Sequence, residues 1–134
     1  MKTASVLTCV LLSSCTHRSE VVVADLYAVL TTGKWVKDLG SGPWSEAYVY
    51  AFAKDGTYTS KLITDHTTPT VTGRWELAKG ENGKVHLRLK DQKERESYYW
   101  LYEDSVVRYD KEEDALVVSG ERYAGEPRLR HEKP

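Results

Sequence analysis

The sequence predicts an all-β protein: a small eight-stranded antiparallel up-and-down barrel, preceded by one short N-terminal helix. Three observations carry this reading. From residue 34 onward, short runs alternate apolar and polar side chains. Clusters of Gly, Pro, Asn and Asp separate the runs at even intervals, as successive hairpins require. The aromatic residues are nine Tyr, four Trp and one Phe, a set dominated by β-formers that join an apolar body to a polar tip. Eight hairpin-linked strands can close on themselves, and closure removes the exposed edges of the sheet.

The elements follow in order. Val22, Leu26, Val29 and Leu30 fall at i, i+4, i+7 and i+8, which is helical spacing. Ser19 is placed to cap that helix, Glu20 sits in its first turn, and Gly33 is its stop. The run Val21-Val22-Val23 leaves a strand as the other reading. Strand residues 34–39 include Trp35 and Val36, and Gly40 to Trp44 form a loop. Residues 46–53 put Tyr48, Tyr50 and Phe52 on one face and Ala47, Val49, Ala51 and Ala53 on the other. Lys54-Asp55-Gly56 reads as a three-residue hairpin loop with Gly56 left-handed, a register that pairs Phe52 with Tyr58. The returning strand, 57–64, carries Tyr58, Ser60, Leu62 and Thr64 on the same inward face, and Asp65 to Pro69 is a turn. Strand 70–78 turns Val71, Gly73, Trp75 and Leu77 inward. After the turn at Gly80 to Gly83, strand 84–90 turns Val85, Leu87 and Leu89 inward. A charged loop from Asp91 to Glu96 leads to an aromatic strand, Tyr98 to Tyr102. Strands 105–110 and 116–123 complete the set of eight, and the charged segment from Gly125 onward reads as a loose tail.

A chain of 134 residues is one domain by length. Its 40% hydrophobic and 29% charged residues are those of a globular protein. The net charge of −1, with no basic stripe, speaks against nucleic acid as a partner. Both cysteines, Cys9 and Cys15, lie at the front, so no disulfide staples the fold. Lys2 followed by the short apolar stretch from Ala4 to Leu12 has the build of a cleavable export signal, and the stretch is too short to span a bilayer. Leu12-Ser13-Ser14-Cys15 resembles the bacterial lipobox: a branched apolar residue, two small residues, then the Cys whose thiol takes the lipid. That resemblance implies cleavage before Cys15 and acylation there, with several chains giving a stable anchor. With Thr16 in the next position, where Asp favours inner-membrane retention in enterobacterial lipoproteins, the resemblance implies the outer membrane of the cell envelope. The resulting organisation is a signal peptide over 1–14, a lipidated N-terminus and tether over 15–20, a barrel over 21–124 and a tail over 125–134.

Three motifs recur in an order that carries a further resemblance: Gly33-Lys34-Trp35, Phe52-Ala53-Lys54-Asp55-Gly56-Thr57-Tyr58 and Gly73-Arg74-Trp75-Glu76-Leu77. The series resembles the lipocalin-like domain of bacterial lipoproteins, in the calycin group, over roughly residues 26–123. The resemblance implies a barrel closed at one end, with Trp35 packed across that end beneath an Arg from a late strand. Arg122 is the candidate for that Arg and Arg108 the second. This chain is shorter than a typical lipocalin and has no disulfide, and the other lipocalin motifs are not evident, so its interior can equally be filled by side chains.

No catalytic motif is present, neither G-x-S-x-G, H-E-x-x-H nor a Gly-rich phosphate loop, and the chain reads as a non-enzyme without a cofactor. His17 falls in the tether, His131 in the tail and His86 on an outward face. Asp65 and His66 offer two metal ligands without a third, so no metal site is expected. The candidate site is the inward aromatic face of Tyr48, Tyr50, Phe52, Tyr58, Leu62 and Trp75. Apolar walls with a few hydroxyls describe a pocket for a small apolar or aromatic ligand, and they describe a packed core as well. The expected function is therefore a membrane-anchored, ligand-binding lipoprotein. The alternative is an envelope interaction protein, an inhibitor or assembly factor that meets a protein partner through the Trp44 loop and Tyr98-Tyr99-Trp100. Mass spectrometry of the mature protein is expected to find an acylated Cys15 as the first residue; a free amine on any other residue would contradict the anchor.

Overall fold

Each alternating run becomes a strand because it can turn an apolar face inward and a polar face to water. The structure, a computed structural model, describes residues 23–40, 46–64, 68–90 and 100–134. Helix α1 covers residues 23–30. Eight strands follow: β1 (Lys34–Asp38), β2 (Ala47–Phe52), β3 (Thr57–Ile63), β4 (Thr70–Lys79), β5 (Val85–Lys90), β6 (Asp104–Asp110), β7 (Ala115–Ser119) and β8 (Arg128–Glu132). Each pairs antiparallel with the next, and β8 pairs with β1, so the sheet is a closed up-and-down barrel. The helix and the strand class are as the sequence predicts. The leader, Cys15, Trp44, Asp65, His66, Tyr98 and Tyr99 lie outside the described residues.

Local chemistry sets the first half of the register. Asp55 accepts the Thr57 N–H at 2.9 Å and the Thr57 hydroxyl at 2.6 Å, while Gly56 takes a φ of 91°. That turn pairs Phe52 with Tyr58, the expected register. Gly73 stands opposite Tyr58; a Cβ there would come within 2.8 Å of the tyrosine ring, so the glycine gives the ring its space.

The last third differs from the sequence reading. Trp100 to Tyr102 is not a strand: these residues bend, and Leu101 is fully buried. The seventh strand ends at Ser119 rather than continuing to residue 123. The segment beyond Gly125 is not a loose tail but carries β8, whose Leu129 is fully buried and whose His131 faces Trp35 across the ladder. The physical reason lies in its composition. A strand at this seam needs only Leu129 and His131 inward, and its outward Arg128, Arg130 and Glu132 give it the look of a solvated terminus.

The outer face of the seam is held by long side chains. Val36 and Val117 point away from the barrel interior yet are 2% exposed. Their ladder neighbours are Arg130 for Val36, and Arg108 and Arg128 for Val117, whose aliphatic stems cover them. Arg128 bonds Asp110 at 2.8 Å and Arg130 bonds Asp38 of β1 at 2.8 Å, which fixes the stems in place.

Helix α1 closes one end of the barrel. Leu26 and Leu30 are buried, each contributing roughly 2 kcal/mol by area. Tyr27 stacks on Trp75 at 5.2 Å and donates to the Lys54 carbonyl at 2.6 Å. A chain ending at Gly125 is expected to lose its cooperative thermal transition by circular dichroism, since removing β8 reopens the barrel. Unchanged melting of that truncation would contradict the closure.

Candidate functional site

Of the six residues expected to line a pocket, four pack against each other. Tyr50, Phe52, Tyr58 and Trp75 are at most 5% exposed. Phe52 lies 6.1 Å from both Tyr50 and Tyr58 and meets Trp75 edge-on at 5.2 Å. These ring contacts fill the space between the four side chains. Tyr48 and Leu62, opposite each other on β2 and β3, are half-buried toward the other end.

Toward that other end, backbone donors meet tyrosine oxygens. The Tyr50 hydroxyl accepts the Trp100 N–H at 3.0 Å and the Leu101 N–H at 2.9 Å. Ser60, opposite Tyr50 on β3, is buried, and its hydroxyl has no hydrogen-bond partner among the described residues. Burial pushes the Tyr50 hydroxyl above its ordinary pKa, against the opposing pull of the two backbone donors. Tyr123 repeats the device: its oxygen accepts the Tyr102 N–H at 2.8 Å and lies 2.6 Å from the Ser105 hydroxyl. Lys37 sits over the Trp100 ring at 5.5 Å.

At the helix end, Trp35 is fully buried and donates its indole N–H to the Leu30 carbonyl at 3.2 Å. The ring stacked on it is His131, at 4.2 Å and 5°. Arg122 does not fill the place proposed for it: it is exposed, with its guanidinium 5.1 Å over Tyr102. Arg108, the second candidate, faces outward and bonds Glu126 at 3.1 Å. His131 Nδ1 meets Asp114 at 2.9 Å and Nε2 meets the Thr32 carbonyl, and both partners are acceptors. The Tyr109 hydroxyl donates to the same Asp114 at 2.6 Å.

Beside this clasp lies a cleft of about 600 Å³ that the sequence reading did not foresee. It is lined by Leu26 and Val29 of α1, by Lys84 and Val85 where β5 begins, and by Val107 to Tyr109 of β6. It exists because one ladder stops short. β5 and β6 last pair at Val85 and Val107, while β6 runs on to Asp110. The volume is within the range of small-ligand sites. Its rim carries Asp25, Lys84, Arg108 and Glu126; Arg108 and Glu126 pair, while Asp25 and Lys84 form no ion pair among the described residues. Helical spacing had marked Leu26 and Val29 as apolar, but no local signal tells that β5 starts too late to cover β6. Among the described residues no group of His, Cys, Asp and Glu could hold a metal, and no helix is long and apolar enough to cross a membrane.

In comparisons with known proteins, the chain matches no family model, no curated protein and no solved structure.

The Asp114 clasp has a pH signature. The Tyr109 hydroxyl, and then His131, hold its carboxyl below the ordinary value. A lowered folded-state pKa stabilises the fold above the unfolded value, and that stability is lost as pH falls through the folded one. Asp114→Asn is expected to lower the urea midpoint at pH 7, with the gap to the parent narrowing below about pH 4. A gap that stays constant to pH 2 would show that the carboxylate charge contributes nothing.

Proposed function

We propose that this chain is a lipid-anchored, lipocalin-like protein of the bacterial envelope, and that its barrel holds a small apolar ligand in the cleft beneath α1. The observation that carries the reading is the cleft: about 600 Å³ against Leu26, Val29, Val85 and Val107. The aromatic interior, by contrast, is occupied by its own rings. Cys15 and the leader before it support the anchor, and the helix that lines the cleft follows Cys15 closely in sequence. The anchor thus keeps the site close to a membrane surface, where apolar molecules concentrate.

The packing of those rings on one another also favours a second reading, in which the barrel is a scaffold for an envelope protein partner. Trp100, half-buried at the end opposite α1 and overlaid by Lys37, marks the surface such a partner would meet.

The first reading is tested by titrating the full chain carrying Cys15→Ser with 1-naphthol, a neutral apolar probe, and following methyl shifts by NMR. The Val29, Val85 and Val107 methyls are expected to move together. Val29→Trp, which fills the cleft from its helical wall, is expected to weaken binding at least about tenfold while leaving the melting temperature within a few degrees. Absence of binding, or shifts confined to the Trp100 end, would favour the scaffold reading.

A further inference from the structure

The cleft has features that a small apolar molecule leaves unused. The β5–β6 ladder ends at Val85 and Val107, so Arg108, Tyr109 and Asp110 have no strand on their β5 side among the described residues. The orientation of the free groups follows from the ladder. The Leu89 N–H donates to the Glu103 carbonyl, so by alternation the odd-numbered residues of β6 direct their N–H and C=O toward β5. The next odd residue past the last pair is Tyr109, which lines the cleft. The cleft therefore presents one open backbone donor–acceptor pair above an apolar floor.

The charges lining it are matched to the ends of a chain. Lys84 sits where β5 begins and Asp25 on α1, both line the cleft, and neither forms an ion pair among the described residues. A segment extending β5 backward would run antiparallel to β6. Its C-terminal end would meet Lys84, and its N-terminal end would point away from β5; Asp25, on α1, is the other uncommitted charge of the cleft. A lipid carries its charges together at one end; two uncommitted opposite charges on separate elements suit a molecule charged at both ends.

We infer that the cleft binds a short apolar peptide with free termini, about three residues long, added as a strand to the open stretch of β6. Its carboxylate pairs with Lys84 and its ammonium with Asp25, while its side chains lie on Leu26, Val29 and Val85. This rests on the reading of the cleft as the binding site and names the chemistry it selects.

The test compares trivaline with its N-acetylated, its C-amidated and its doubly blocked forms, by calorimetry on the full chain carrying Cys15→Ser. Each block is expected to weaken binding about three- to tenfold. Lys84→Gln is expected to abolish the effect of amidation alone, and Asp25→Asn that of acetylation alone. Hydrogen exchange at the Tyr109 amide is expected to slow on binding. Doubly blocked peptide binding as tightly as the free form, penalties unchanged in both variants, or no added protection at Tyr109 would each overturn the inference. If 1-naphthol binds and trivaline does not, the peptide is excluded and the cleft remains a site; if neither binds, both readings fall.

Discussion

The fold depends on the seam between β1 and β8. Strands β1 to β8 pair in chain order, so only this one ladder converts an open meander into a barrel. It joins two short strands far apart in sequence, and backbone bonds alone hold such a seam weakly. Side chains on both faces reinforce it. Inside, Trp35 and His131 stack across the ladder; outside, Arg130 of β8 bonds Asp38 of β1. His131 then ties the seam to the Thr32 carbonyl behind α1 and to Asp114 in the β6–β7 turn. One ring thus connects the end of α1, the first strand, the last strand and the turn between β6 and β7.

The same arrangement divides the two ends of the barrel. At the end opposite α1, polypeptide enters the barrel and gives its N–H groups to buried tyrosine hydroxyls, so Tyr50 and Tyr123 act as acceptors for a backbone that no longer has a ladder. Losing either oxygen would leave buried donors unmatched, at about 1–3 kcal/mol each. At the helix end, a separate element closes the barrel by packing Leu26 and Leu30, and a packed helix need not cover every strand end equally. Tyr27 fastens it over Trp75 and the β2–β3 turn, the side away from the gap beside β6. The rigid side and the open side of the lid follow from that asymmetry.

Much of the first two-thirds was legible because its signals are local. Asp55-Gly56 specifies a turn, the turn specifies the Phe52–Tyr58 register, and strict alternation from Val71 to Leu77 and from Val85 to Leu89 fixes which face turns inward. The final third was read less well because its two decisive segments carry misleading composition. Trp100-Leu101-Tyr102 has the residues of a strand but uses them to fill an end. Arg128 to Glu132 has the residues of a solvated tail but pairs on both sides. Arg122 does not stand over Trp35 for the same reason. Once β8 supplies the neighbour, the ring in contact is the one at the paired position, His131.

The candidate site shows a different limit. Tyr48, Tyr50, Phe52, Tyr58, Leu62 and Trp75 were found by alternation, and alternation identifies whatever faces inward, whether core or pocket. A cleft arises instead where regular structure stops. Here it arises from a difference in strand length: β6 outruns β5 at the end that α1 covers only in part. A mismatch of that kind leaves backbone groups, apolar side chains and uncommitted charges at one place. It also costs little stability, because the groups left open face solvent and not the core. The barrel can therefore devote its interior to packing and still keep a place at its rim where something else completes the sheet.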